Sequence, residues 1–260
     1  MNPTLQGKRA LVTGASGALG AAIARRLAAD GAHLLLHGNS RPDAVQMLTE
    51  ELRAAGGSAE ACVFDLRDDA ATAAGIAQLL KGGPVQVLIN NAGTHDDAVF
   101  PGMRKEQWHG VIDVSLHGFF RVTQPLTLPM LRTRWGRIVN VSSVAALSGN
   151  RGQVNYAAAK GALNSATKAL ALELASRGVT VNAVAPGIIE SPMATGMNLT
   201  QSATQNGAHK AAFDADTIKR LVPVQRAGTP DEVAALVGFL ASPAAGYITG
   251  QIISINGGML

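Results

Sequence analysis

The sequence predicts a single doubly wound α/β domain over residues 1–260, a parallel sheet of seven strands with helices on both faces. Three observations predict it. Short apolar runs alternate with longer Ala- and Leu-rich stretches, the pattern of a parallel sheet with right-handed crossovers. The apolar runs are continuous rather than alternating, as strands covered on both faces require. The first run passes through a glycine cluster directly into a helical pattern.

In chain order, residues 10–12 read as the first strand and 18–30 as the first helix. A second strand follows at 33–37 and a second helix at 43–55. Further strands are expected at 61–64, 87–89, 137–141, 179–184 and 252–255. The stretch from Ser191 to Arg220 carries Met, Asn, Gln, Thr and Gly with weak periodicity. It reads as a lid near an active site, or as a plain surface insertion.

Composition narrows the function. A chain of 260 residues with 47% apolar content can bury a large core and is not disordered. Lys and Arg exceed the acidic residues by four, but no basic run or zinc-finger spacing appears, so nucleic acid is not an expected partner. The mild positive balance suits an acidic small molecule or protein partner, or an ordinary solvated surface. Cys62 is the one cysteine; it excludes an intrachain disulfide and fits a reducing, cytoplasmic compartment. Within Ala61-Cys62-Val63-Phe64 it reads as a buried strand thiol. Residues 1–9 lack a signal-peptide stretch, and no run of about 20 apolar residues points to a membrane span. The six histidines show no metal-ligand spacing, so no metal is expected. His33 and His37 read as packed or edge residues. No G-x-S-x-G elbow or P-loop is present.

The glycine cluster is Thr13-Gly14-Ala15-Ser16-Gly17-Ala18-Leu19-Gly20. Small residues let the backbone turn sharply and let a phosphate approach it, and the helix that follows offers free N–H groups to a pyrophosphate. The spacing is not G-x-G-x-x-G, so the strand-before, helix-after context carries the reading. The second strand ends in His37-Gly38-Asn39-Ser40-Arg41, with no carboxylate before Asp43. That favours NADP(H), with Asn39, Ser40 and Arg41 taking the 2′-phosphate. The alternative is that Arg41 simply begins a surface loop.

Tyr156 and Lys160 are four apart in a helical stretch, hence on one face. An ammonium there is expected to lower the phenol pKa and make Tyr156 a usable general acid. Ser143 follows the strand at 137–141, at the edge where such sheets place ligands, and its hydroxyl can bond a substrate carbonyl. Asp96-Asp97 reads as a solvated loop at the pocket mouth rather than as an acid–base pair.

The motifs Thr13-Gly14-x-x-x-Ala18-x-Gly20, Asn90-Asn91-Ala92-Gly93, Ser143, Tyr156-x-x-x-Lys160 and Pro186-Gly187 together resemble the short-chain dehydrogenase/reductase family, whose members have a Rossmann-type fold. The likeness covers nearly the whole chain. Within that family the segments 149–156, 185–190 and 247–251 are similar to 3-oxoacyl-[acyl carrier protein] reductases. The 253–259 ending and the His95-Asp96-Asp97 loop resemble reductases of aryl polyene pathways.

The resemblance implies that Ser143 polarises a ketone, Tyr156 protonates the alkoxide, and Lys160 holds the nicotinamide ribose and tunes Tyr156. It implies cofactor contacts from Gly14, Ala15, Ser16, Gly17, Leu19, Asp65, Leu66, Asn91, Ala92, Gly93, Pro186, Gly187, Ile189 and Ser191. Ser115 stands at the family's proton-relay asparagine position, which leaves proton resupply open. Gly17 stands where many relatives carry an arginine, which puts more demand on Arg41. Arg134 and Arg177 match positions that dock acidic acyl carrier protein, or are solvated arginines. A homotetramer is implied, built through long helices at about 107–132 and 154–176 and the C-terminal strand. The alternatives are a dehydrogenase of a sugar, polyol, steroid or other small alcohol, and a catalytically silent NADP(H)-binding sensor or structural subunit.

Overall fold

The computed structural model describes residues 4–190 and 215–260. Seven strands form one all-parallel sheet in the order β3-β2-β1-β4-β5-β6-β7. They are β1 Arg9–Val12, β2 His33–Gly38, β3 Ser58–Val63, β4 Val87–Asn90, β5 Gly136–Val141, β6 Val179–Pro186 and β7 Ile252–Ile255. The order reverses direction between β1 and β4, so their carboxyl ends flank a crevice open to a ligand.

Helices cover both faces: α1 Ala18–Ala29, α2 Pro42–Ala54, α3 Asp69–Lys81, α4 Lys105–Ile112, α5 Gly118–Arg132, the short α6 Ala145–Ser148, α7 Val154–Leu174, α8 Ala215–Leu221 and α9 Pro230–Ala241. Continuous apolar strands make this possible because successive side chains point to opposite faces. Val12, Leu34, Leu36, Ile89, Val139 and Val184 pack under α1, α2 and α9. Leu11, Leu35, Leu88, Ile138 and Val181 pack under α3, α5 and α7. Helices α1 and α9 approach closely at Gly238, where an added Cβ would lie 2.8 Å from Arg26 Cγ.

Three expectations change in detail. The third strand starts at Ser58 rather than 61 and is an edge strand, largely exposed, because no helix covers its outer rim. Cys62 on it is half-buried rather than fully buried; burial still pushes its thiol up to about 12, far from a reactive thiolate. The helix expected at 107–132 is interrupted by a π-turn, Asp113–His117, and continues as α5 with Pro125 and Pro129 inside it.

A buried polar chain ties the middle of the sheet to the helices on one of its faces. Asn90 Nδ2 donates to Thr123 Oγ1 (3.0 Å) and Asn140 Oδ1 (2.9 Å), and Asn140 Nδ2 donates to Thr167 Oγ1 (2.8 Å). It links β4, β5, α5 and α7. Asn140 is fully buried, so Asn140→Ala strands donors and acceptors away from water. The expected loss is about 2–3 kcal/mol of unfolding free energy, measured by urea denaturation.

Candidate active site

The crevice at the β1/β4 reversal is a cleft of about 760 Å³. Its floor begins at Thr13, whose Oγ1 accepts the N–H groups of Asn91 and Ala92, both at 3.0 Å, and donates to Ile89 O. Asn91 Nδ2 returns a bond to Thr13 O at 2.8 Å. The two loops lie so close that a Cβ on Gly14 (φ 66°) would meet Ala92 Cα at 2.9 Å, so only glycine fits. Gly17, at the N-terminus of α1, makes no side-chain cap; the uncapped first turn faces the cleft and suits a pyrophosphate. Gly14, Ser16, Gly17, Leu19, Asn91, Ala92, Gly93 and Ile189 line this space.

Asn39, Ser40, Arg41, Asp65 and Leu66 line the same cleft at the ends of β2 and β3. Asp65 is bound to Arg67 (Oδ2 to Nη2, 2.7 Å) and accepts the Arg67 N–H at 2.9 Å. Those bonds, chiefly the guanidinium, hold its carboxyl down at about 2. Arg67 therefore joins Arg41 as a second guanidinium in the cleft wall, a residue the sequence reading missed. His37, expected as a packed or edge residue, is packed: it is buried beneath the cleft, with Nε2 3.0 Å from Phe64 O and Nδ1 accepting the Gly14 N–H at 3.4 Å.

Ser143, Tyr156 and Lys160 come together at the carboxyl end of β5. The Tyr156 phenol lies close enough to the Ser143 hydroxyl for that hydroxyl to lower its pKa. Lys160, 2% exposed, donates to Val141 O at 2.7 Å, with Nζ 5.8 Å from the Tyr156 ring centroid. The expected downward pull on the phenol is not what this geometry gives. Burial raises the Tyr156 pKa, the Ser143 hydroxyl lowers it, and the Asp97 charge raises it. Lys160 spends its charge on a carbonyl, and burial lowers its own pKa to about 8. Tyr156 is thus held as a protonated phenol at neutral pH, the form a proton donor needs.

Other expected residues fall elsewhere. Ala15 is buried in the core beneath the turn, its N–H bonded to His37 O at 2.8 Å, so its side chain is not a cleft wall. Pro186 O accepts the Val144 N–H and Gly187 N–H bonds Ile255 O, holding the Ser143 loop to the sheet. Ser115 sits in the π-turn, buried, its Oγ without a partner among the described residues. It borders a small cavity of about 10 Å³ shared with Thr13, Asn90 and Gly118. A Cβ on Gly93 would lie 3.5 Å from that Oγ and 3.2 Å from Lys160 Nζ. The Asp96 and Asp97 carboxylates are not simply solvated: they accept bonds from Gln107 Nε2 (2.6 Å) and Gln153 Nε2 (2.8 Å). Arg134 and Arg177 are exposed, each two residues ahead of the paired Gly136 and Val179, at the opposite end of the sheet from Ser143. Ser191 and most of the expected lid lie outside the described residues. Among those residues, no cluster of three or more His, Cys, Asp or Glu could hold a metal, and no helix is long and apolar enough to cross a membrane.

Residues 14–260 match a family described as enoyl-(acyl carrier protein) reductase. The chain is 42% identical to nodulation protein G of Rhizobium sp. (strain N33) over 264 residues, 98% of each chain. It is 38% identical over 269 residues to the 3-oxoacyl-[acyl-carrier-protein] reductase FabG of Pseudomonas aeruginosa, again 98% of each. FabG of Aquifex aeolicus is 40% identical across the full length of both chains. A crystallised protein of Agrobacterium tumefaciens assigned as a gluconate dehydrogenase superposes with a TM-score of 0.89 at 33% identity, covering 100% of this chain and 98% of its own.

The His37 geometry has a pH consequence. Burial pushes its pKa down to about 4 from 6.5. Between those values the unfolded chain binds a proton that the folded chain refuses, so stability falls as pH drops through that window and this group adds no further loss below it. The wild-type urea midpoint is expected to fall between pH 7 and 4.5. His37→Asn is expected to remove part of that slope, worth at most about 3 kcal/mol. An unchanged slope would place its source elsewhere.

Proposed function

We propose, from the premise that this chain belongs to the short-chain dehydrogenase/reductase family, that it is an NADPH-dependent reductase of a 3-oxoacyl thioester carried on acyl carrier protein. The observation that carries the reading is the Ser143–Tyr156 hydroxyl pair beside the buried Lys160, next to a cleft built for a dinucleotide. The relatives named FabG support the substrate class. Gly14, the uncapped start of α1 and the Asn91–Gly93 loop fit a nicotinamide dinucleotide. When bound, that group supplies the hydride.

The chain's own residues do the rest. Ser143 and Tyr156 converge on the substrate carbonyl oxygen, Ser143 by polarising it and Tyr156 by delivering its phenolic proton as negative charge develops. Lys160 is the neighbouring cation; one of its three N–H donors is fixed by Val141 O, leaving two for a ribose and a relay. Ser115 contributes a hydroxyl beside a cavity with room for one water, in line with a path from solvent toward Lys160. Asn39, Ser40, Arg41 and Arg67 form the pole that favours a 2′-phosphate.

The proposal extends to partners. Arg134 and Arg177 form the basic edge for an acidic carrier, at the end of the sheet opposite Ser143. The apolar Phe120, Leu128 and Leu172, exposed on α5 and α7, form the assembly face of a cytoplasmic homotetramer, which light scattering can measure.

Two readings compete on specific observations. The gluconate dehydrogenase likeness favours a small polyol or sugar, and the matched family description favours an enoyl thioester. Acetoacetyl-carrier protein, a free small ketone, an enoyl thioester and a polyol with oxidised cofactor, each with NADP(H) and NAD(H), separate them. The carrier-bound ketone with NADPH is expected to turn over fastest. Tyr156→Phe is expected to lower kcat about 10²–10⁴-fold with cofactor Kd nearly unchanged; near-normal turnover would refute the assignment. Arg41→Ala is expected to cut the NADPH-over-NADH preference about tenfold, the loss of one charge-assisted contact.

A further inference from the structure

Tyr156 lies in the first turn of α7, where a helix has unpaired N–H groups and frays most easily. The N-cap residue, Gln153, makes no side-chain capping bond. The residue beside the tyrosine supplies what the cap does not. Asn155 is 0% exposed, and its Oδ1 accepts the Tyr156 N–H at 2.8 Å. Its Nδ2 donates to Asp96 O at 2.9 Å and to Gln107 O at 3.0 Å. Both donors of the amide and its oxygen are therefore engaged.

The two carbonyls it grips are themselves tied together. Gln107, 3% exposed, donates from Nε2 to Asp96 Oδ1 at 2.6 Å and accepts the Arg104 N–H at 3.0 Å. Asp96 and Gln107 both line the dinucleotide cleft, and the loop containing Asp96 continues directly from Asn91–Gly93. A further backbone bond, Ala98 N–H to Gly152 O at 2.9 Å, runs alongside. The start of α7 is thus fastened to the cofactor-side loop and to α4, with the amide of Asn155 at the junction.

We infer that Asn155 is a positioning residue for the proton donor: by clasping Asp96 and Gln107 it holds Tyr156 in register with the loop that faces the cofactor. The inference rests on the reductase reading for its consequence in turnover, but not for its geometry. A buried asparagine that only stabilises the fold would spread its bonds over the core; here one of them ends on the backbone of the reacting residue itself. Small displacements of a reacting group cost far more in rate than in stability.

The test uses the fact that the chain has two tyrosines, of which Tyr247 is fully exposed. In a Tyr247→Phe background the phenolate absorbance titrates Tyr156 alone, under the influence of Ser143, Lys160 and Asp97. Asn155→Ala is expected to admit water to the first turn and move that titration down toward an ordinary phenol. It is expected to lower kcat about 10–100-fold while the KM for NADPH changes less than about threefold. Gln107→Ala, which removes one tie but keeps the carbonyl, is expected to shift the titration in the same direction by less, and serves if Asn155→Ala does not fold. A lower melting temperature with an unmoved titration and unmoved kcat would overturn the inference. A moved titration in a protein whose wild type reduces no ketone would leave the clasp standing and remove the reductase reading.

Discussion

The near-contact between the turn after β1 and the loop after β4 is the constraint from which the site follows. Thr13 Oγ1 takes two N–H groups from the Asn91–Ala92 backbone, and Gly14 stands where no side chain has room. Bringing these loops together fixes the floor of the cleft. It also sets the direction of α1, whose first turn is the wall an anion would meet. The proposed catalytic residues are referenced to the same floor, because Gly93 lies against Lys160 and Ser115. Binding and chemistry are thus built from one junction rather than from two independently placed sites.

Charge is distributed around that junction in a way that keeps the Tyr156 phenol protonated. Lys160 is fully desolvated and bonded to Val141 O, so its ammonium does little to ionise the phenol before a ligand arrives. Burial and Asp97 keep the Tyr156 proton in place. The buried neutral His37 plays a complementary part beneath the Gly14 turn. It satisfies Gly14 and Phe64 together without placing a positive charge under the cleft.

Much of this was legible in the sequence, for reasons that are local. Strands buried on both faces read as continuous apolar runs, so six of the seven were located to within two residues at either end, while the β3 start was missed by three because its alternating Ser58, Glu60 and Cys62 lie on an open rim. Tyr156 and Lys160 could be paired by helical spacing, and the glycine turn by its place between strand and helix. The rest depended on distance through space. Nothing in the sequence pairs Asn155 with Asp96 and Gln107, roughly 50 to 60 residues away, or puts Arg67 on Asp65 within the cleft. The outcome of the competition between burial and the ammonium at Tyr156 needed the direction in which Lys160 points. The π-turn around Ser115 has no signature in composition, and Pro125 and Pro129 lie downstream of it.

The close seating of α9 on α1 at Gly238 has a bearing on how the molecule is made. The helix that presents its N-terminus to the cleft is synthesised well before the surface that supports its back, which arrives more than 200 residues later with Pro230–Ala241. β6 likewise awaits β7 for its outer neighbour. Pairings this distant in sequence are slow to form. A nascent chain therefore holds the glycine turn after β1 without its backing until α9 has left the ribosome, and a shortened chain ending before α9 keeps the cleft-lining residues of that turn but not the buttress behind them.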